Sequence, residues 1–283
     1  MSSLAQRIKD TKRIVIKIGS ARVSNESSKK DFLFHLTNTV RFLREQKKEV
    51  ILVSSGAVAS GKLALENSKS EIASNGLDLK AKQALAAIGQ IQLMKLYESY
   101  FANSNLQIAQ ILFGKSDLEN PSSLSNLKNT FEELLKWGTI PIVNENDSTS
   151  TEEMNFGDND FLSAMVSLIV GADMLFLLTG VDGFLVNETV VSLISKLEEI
   201  DWDSAKGPTG VGTGGMLSKL KSGGILHPYG IITSIQNGEK PNIILEYLGG
   251  KPVGTTIYNQ KEKQVPSLED VKKIFGGAGN GIG

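Results

Sequence analysis

The sequence predicts an α/β protein, a three-layer α/β/α sandwich around a mostly parallel central sheet. Two observations carry that expectation. Short runs of Ile, Val and Leu alternate with longer segments whose apolar residues recur every three or four positions. The strand candidates are also continuously apolar, the pattern of strands buried on both faces. Ligands of such sheets gather at the C-terminal strand ends, where loops and helix N-termini meet.

Arg13 to Ile18 reads as the first buried strand, ended by Gly19, with a helix to follow. From Asp31 to Lys47, Leu33, Leu36, Val40 and Leu43 mark one helical face. Val50 to Val53 is a second strand that opens through Ser54, Ser55 and Gly56 into another helix. A long helix is expected over about Lys80 to Asn103, with Ala84, Ile88, Ile91 and Met94 as its stripe. Gln107 to Phe113 reads as a strand, and Pro121 starts a helix closed by Trp137 and Gly138. Thr139 to Val143 and Leu175 to Leu178 are further strands, separated by a polar segment and a helix carrying Phe161, Met165, Leu168 and Ile169. Beyond Leu178 the pattern shortens: a helix with Lys219 and Lys221, then strand candidates at Ile231 to Ile235, Ile243 to Leu245 and Thr256 to Tyr258. With no repeat and no linker composition, 1–283 reads as one domain: an N-terminal lobe of about 1–172, a C-terminal lobe of about 173–260 and a flexible tail over 261–283.

The composition narrows the chemistry. The chain has 283 residues, 40% apolar and 22% charged, with 30 basic and 31 acidic residues and a formal charge of -1. Nothing global suggests a nucleic-acid surface, so any anion site is local. Cysteine is absent and only His35 and His227 are imidazoles, which excludes thiolate metal sites, a cysteine nucleophile and a histidine-rich metal centre; no metal-ligand set is expected. The polar start, Met1 to Lys12, and the lack of a long apolar run predict a cytoplasmic protein without a membrane span.

Four features stand out locally. Lys17 lies in an otherwise apolar strand before Gly19 and Ser20, and a lysine there is costly unless paired or turned into a ligand cleft; snorkelling from a sheet edge is the competing reading. Ser54, Ser55 and Gly56 precede Ala57 to Gly61, small residues that let a helix approach the sheet and leave N–H groups for an anion, or simply cap the helix. The glycine spacing of a lipase-type nucleophile turn is missing, so serine hydrolysis is disfavoured. Asn144, Glu145, Asn146, Asp147 and then Gly157, Asp158, Asn159, Asp160 form the densest polar cluster, suited to a small zwitterion or to orienting a lysine, and without calcium-loop spacing. Gly210, Gly212, Gly214 and Gly215, followed by Met216, Leu217, Ser218 and Lys219, give the strongest phosphate signal, although neither the P-loop nor the dinucleotide spacing is present.

Taken in order, Lys17-Ile18-Gly19-Ser20, Ser54-Ser55-Gly56-Ala57, Asn144-Glu145-Asn146-Asp147, Gly157-Asp158-Asn159-Asp160 and Gly212-Thr213-Gly214-Gly215-Met216 with Lys219 resemble the amino-acid kinase family over roughly Arg13 to Ile257. The resemblance is to the branch that phosphorylates the side-chain carboxylate of L-glutamate with ATP, the first step of proline synthesis. It implies Lys17 and Lys219 as the phosphoryl-transfer lysines held by Asp160, and Ser55, Gly56, Asn144, Asp147 and Asn159 as the glutamate set. Lys17, Gly19, Thr179, Gly180, Thr213, Gly214, Gly215, Met216, Leu217, Ser218 and Lys219 are implied for the nucleotide. It further implies magnesium, feedback inhibition by proline and a homodimer or homotetramer. Ala21 departs from the family's frequent serine and Gly180 from its frequent aspartate. Relatives often continue into a PUA domain; only 26 residues follow Ile257, so the kinase domain alone is expected. The competing readings are an acetylglutamate, aspartate or carbamate kinase, and a non-catalytic nucleotide sensor.

Overall fold

The computed structural model describes residues 3–24, 29–67, 77–114, 116–149, 159–205 and 215–276. In chain order the elements are α1 (Leu4–Lys9), β1 (Arg13–Lys17), α2 (Ser20–Ser24), α3 (Lys29–Glu45), β2 (Glu49–Val53), α4 (Ala57–Asn67), α5 (Leu79–Phe101), β3 (Ile108–Phe113), α6 (Ser116–Glu119), α7 (Pro121–Lys136), β4 (Ile140–Glu145), α8 (Asn159–Ile169) and β5 (Met174–Thr179). There follow β6 (Leu185–Val186), β7 (Thr189–Val190), β8 (Leu193–Ile194), α9 (Trp202–Ala205), α10 (Met216–Leu226), β9 (Ile232–Asn237), α11 (Ile243–Leu248), β10 (Thr255–Ile257) and α12 (Leu268–Gly276).

The main sheet has eight strands in the order β3-β4-β2-β1-β5-β9-β10-β8; β6 and β7 form a separate two-stranded ribbon. Within the main sheet only β9 and β10 pair antiparallel. Alternate residues of each central strand serve opposite cores. Val15, Ile51, Val53, Val143, Leu175 and Leu177 face one apolar cluster, while Ile14, Ile16, Val50, Leu52, Ile142 and Phe176 face the other. Burial on both faces is what makes these strands read as continuous apolar runs. Leu36 and Val40 of α3 are fully buried on the second face, and each such side chain contributes about 1.5–3 kcal/mol.

β1 lies between β2 and β5, with Lys17 in register with Val53 and Leu177. The ends of these central strands therefore bring Lys17, Ser54 and Thr179 to one rim. Behind that rim α4 and α5 touch backbone to backbone. A Cβ at Gly61 would lie 1.9 Å from the Leu85 carbonyl oxygen, and one at Gly89 would lie 1.8 Å from that of Ala57.

Three sequence expectations need correction. Ile243 to Leu245 is helix, not strand: Ile244 and Tyr247, three residues apart, are the buried pair of α11. A three-residue apolar stretch cannot distinguish the two periods. The stripe assigned to the long helix is also displaced. Ile91 is exposed and Ala84 faces solvent, whereas Leu85, Gly89, Leu93, Tyr97 and Phe101 form the buried face. The tail expected over 261–283 contains α12, capped by mutual hydrogen bonds between Ser267 and Asp270 and anchored by buried Val271 and Phe275. Residues 277–283 lie outside the described residues.

Candidate active site

The rim of the central strands opens into a cleft of about 720 Å³. Lys17 leaves the end of β1 into this space, and Lys219 reaches it from the first turn of α10. Both ammonium groups converge on one carboxylate. Lys17 Nζ lies 2.6 Å from Asp160 Oδ1, and Lys219 Nζ donates to Asp160 Oδ2 at 2.9 Å. Ser218 Oγ adds a hydrogen bond to Oδ2 at 2.7 Å. Asp160 sits in the first turn of α8 and has no solvent exposure. Burial alone would raise its pKa, but Lys17, Lys219 and the Ser218 hydroxyl outweigh burial and hold it below the usual carboxylate range. Three charges are thus buried as one unit with a net single positive charge, and both ammonium groups line the cleft.

A second wall is built by amides. Asn144, near the end of β4, and Asn159, the first residue of α8, are both buried. Asn159 Nδ2 donates to the Ser54 carbonyl and to Asn144 Oδ1 at 3.1 Å, and Asn144 Nδ2 donates to Gln90 Oε1 at 2.9 Å. The Ser54 hydroxyl lies 2.9 Å from the Tyr97 hydroxyl, on α5. Burial pushes the Tyr97 phenol above its ordinary pKa, so the group stays protonated as a hydrogen-bonding partner. Ser55 donates its hydroxyl to the Ile18 carbonyl at 3.0 Å. Gly56 adopts φ +100°, where a side chain is strained, and a Cβ would stand 3.1 Å from Val23 Cγ2. This glycine turns the chain into α4 on the wall of the same cleft.

Asp147 follows in the turn after β4. Burial raises its carboxyl above the ordinary value, and among the described residues no cation or hydrogen-bond donor pairs with it. The cleft therefore carries groups of unlike character: a clamped pair of ammonium groups, and a half-buried carboxylate open to a cationic ligand group.

Lys17, Gly19, Ser55, Gly56, Asn144, Asp147, Asn159, Thr179, Gly180 and Lys219 all line this one cleft. Asp160 lies behind it rather than on its surface. Gly215 precedes α10, and its carbonyl accepts from the Ser218 hydroxyl at 2.9 Å. The Met216 and Leu217 side chains are half-buried and pack against the core. Thr213, Gly214, Gly210, Gly212, Gly157 and Asp158 lie outside the described residues. The sequence reading missed Arg22 and Lys62, two further cations on the cleft wall, as well as Gln90 and Tyr97, which support it from α5. The signal for α5 was the Gly89-Gln90 step, a glycine inside an apolar helix followed by an amide. Among the described residues no three acidic or imidazole groups converge to hold a metal ion.

Known proteins resemble this chain over most of its length. Residues 12–223 match the model of the amino acid kinase family. The glutamate 5-kinase of Clostridium perfringens is 37% identical over 274 residues, covering 91% of this chain and 99% of the relative. That of Ligilactobacillus salivarius is 40% identical, with 90% and 99% covered. The glutamate 5-kinase of Trichormus variabilis is 39% identical over 89% of this chain but only 70% of its own length. Among solved structures, Giardia carbamate kinase superposes with a TM-score of 0.62 at 16% identity, covering 88% of this chain and 99% of that one. The UMP kinase of Bacillus anthracis gives 0.57 at 15% identity, with 89% and 97% covered. At these identities the two structures speak for the fold.

Proposed function

The chain belongs to the amino acid kinase family, and from that premise we propose how its cleft performs the ATP-dependent phosphorylation of the side-chain carboxylate of L-glutamate. The activity itself follows from near-full-length similarity to several glutamate 5-kinases. The observation that carries the site assignment is the division of charge within one cleft. Lys17 and Lys219 meet on a shared carboxylate, and Asp147, which lines the same cleft, has no cation among the described residues.

Glutamate lies with its ammonium toward Asp147 and its reactive carboxylate toward the lysines. Ser55, Gly56, Asn144 and Asn159 shape the wall between. ATP approaches over Gly19, Thr179, Gly180 and the Thr213 to Lys219 segment; magnesium carried with it as substrate would supply charge neutralisation on the phosphates. The glutamate side-chain carboxylate is already ionised near neutral pH and attacks the γ-phosphorus in line, so no general base is needed. A new carboxylate O–P bond forms as the bond to the bridging oxygen of ADP breaks. Lys17 and Lys219 stabilise the charge that spreads over the transferring group and the leaving ADP. Asp160 keeps both ammonium groups at fixed positions, so little reorganisation is required during transfer. On this reading the N-terminal lobe of about 1–172 binds the amino acid and the C-terminal lobe of about 173–260 binds ATP.

Three further parts belong to the same proposal. Exposed Ile91 and Leu112 line one shallow cavity near the sheet edge at β3, which supports assembly into a homodimer or homotetramer, measurable by light scattering. Proline, the end product of the route this step opens, is the expected feedback inhibitor, measurable by titration at fixed glutamate. Cytoplasmic residence is expected; no helix among the described residues is long and apolar enough to cross a membrane. The experiment for the activity is glutamate-dependent ADP formation from magnesium ATP, run beside acetylglutamate, aspartate and carbamate. Equal or greater turnover with another acceptor would replace glutamate in this account.

A further inference from the structure

Lysine and arginine supply four cations to the cleft wall: Lys17, Arg22, Lys62 and Lys219. Three of them have a carboxylate. Lys17 and Lys219 share Asp160, and Lys62, more than half exposed, lies 3.9 Å from Glu66 one turn along its own helix. Arg22 is half-buried and has no carboxylate among the described residues. Its guanidinium makes one long hydrogen bond there, from Nη2 to the Thr179 carbonyl at 3.4 Å. A guanidinium carries five N–H donors and a permanent charge, so most of its donors and all of its charge remain unmatched.

The sheet fixes where that charge stands. Arg22 follows β1 on α2, and its side chain reaches the end of β5, the neighbour of β1 on the side away from β2. Asp147 follows β4, and β2 and β1 lie between β4 and β5. Three strand spacings put those two strands about 14 Å apart. Arg22 therefore sits on the β5 side of Lys17, whereas Asp147 enters the cleft from the β4 side. The backbone around the guanidinium is open: a Cβ at Gly19 or at Gly180 would meet nothing within 4 Å. Lys17, Asp160 and Lys219 together carry one net positive charge, and Arg22 makes it two. A doubly positive recess between two bare glycines suits the several charges of linked phosphates better than a single carboxylate, and a guanidinium matches phosphate oxygens in pairs.

We infer that Arg22 is a nucleotide-binding residue of this cleft, its guanidinium engaging the phosphates of ATP and of the ADP that leaves, on the β5 side of the lysine pair. The inference rests on the proposed placement of ATP and extends it: a third cation, carried by the segment after β1, holds the nucleotide from the side away from Asp147. Arginine suits this position because its charge has no buried carboxylate to satisfy. Lys17 and Lys219 are fixed by Asp160, whereas Arg22 is tethered only by the Thr179 carbonyl and can turn its remaining donors to the ligand.

The test compares magnesium ADP with adenosine, which lacks the phosphates, in the unaltered chain and in Arg22→Gln. Glutamine keeps an N–H donor for the Thr179 carbonyl but removes the charge. Calorimetry gives the ADP constant, competition gives the adenosine constant, and initial rates at saturating magnesium ATP give the KM for glutamate. Loss of hydrogen bonds to a charged group predicts magnesium ADP binding weaker by about ten- to a hundredfold. The adenosine constant and the glutamate KM stay within about twofold. If ADP and adenosine weaken in step, or neither changes, Arg22 only ties α2 to β5 and the inference is overturned. A rise in the glutamate KM with ADP binding retained assigns Arg22 to the amino acid and overturns it equally. Should Arg22→Gln fail to fold, phenylglyoxal labelling of the unaltered chain decides: magnesium ADP should protect Arg22 and adenosine should not, and equal labelling under both overturns the inference. Absence of ADP binding by the unaltered chain is a different result, which removes the functional reading itself.

Discussion

Lys17 and Lys219, 202 positions apart in the sequence, end within 2.6 and 2.9 Å of the two oxygens of one fully buried carboxylate. Both lysines are themselves only 5% exposed, so the arrangement is a buried ion triad, in which each member makes burial of the others tolerable. Its members come from β1, α8 and α10, and those elements are held by the sheet and by the α8 to α10 packing rather than by the cleft.

Removing the shared carboxylate exposes the cost of this design. Asp160→Asn leaves two buried ammonium groups without a counter-charge, and a loss of about 3–5 kcal/mol in unfolding free energy is expected. The pH dependence has a definite sign. Asp160 is depressed in the folded state, so its contribution is present above the ordinary carboxylate pKa of about 3.9 and disappears as pH falls through the lower folded value. Denaturant unfolding between pH 3 and pH 7 reads both effects, and the Asn variant should lose part of the acid dependence.

On the proposed mechanism, Lys219→Met removes a charge that stabilises the transferring phosphoryl group. Turnover should fall by about 10²- to 10³-fold, with a smaller change in the KM for glutamate, since the residues proposed for the amino acid are left intact. Initial rates at varied glutamate and saturating magnesium ATP separate these effects. Unaltered turnover would remove Lys219 from the reaction.

On the proposed placement, Asp147 receives the substrate ammonium from the wall of the same cleft. Asp147→Ala should raise the KM for glutamate, by about tenfold or more for a lost charged hydrogen bond, with the ATP constant retained. Burial raises the Asp147 pKa, so in the free enzyme the carboxylate is lost on acidification at a higher pH than an exposed aspartate would be. The acid limb of kcat/KM for glutamate should begin above the ordinary aspartate value, and Asp147→Asn should move it down to where the glutamate side-chain carboxylate itself protonates.

The helix pair behind the amide wall tolerates no side chain where it crosses. Gly89→Ala would force a methyl group to within 1.8 Å of the Ala57 carbonyl oxygen unless the helices part, costing about 1–3 kcal/mol or more. Because Gln90 follows directly, the shift should also raise the glutamate KM. Thermal unfolding together with that KM checks the linkage between packing and site.

The fold was legible where burial repeats along the strand or helix. Val15 and Leu175 serve one core and Ile14 and Phe176 the other, and that double burial is visible as unbroken apolar runs. Ile243 to Leu245 was misread because three apolar residues carry no period. The stripe on α5 was displaced because this helix carries apolar residues on more than one face: Leu85 and Leu93 are buried while Ile91 is exposed. Ser267 and Asp270 held a capping signal that the glycine-rich end obscured. At the site, Lys17 stood out because a lysine in a buried strand needs a partner, and Asp160 is that partner. Gln90 and Tyr97 did not stand out. Their importance arises from contacts with Asn144 and Ser54 across 54 and 43 positions of sequence, and no local pattern encodes such a distance.

The most direct measurement of the central claim is ADP release from magnesium ATP by the purified chain with and without L-glutamate, with hydroxylamine present to capture the acyl phosphate as the hydroxamate. The account predicts ADP and hydroxamate formed in equal amounts, both dependent on glutamate and both lost in Lys219→Met. ADP release that is indifferent to glutamate, or glutamate-dependent release without hydroxamate, would contradict it.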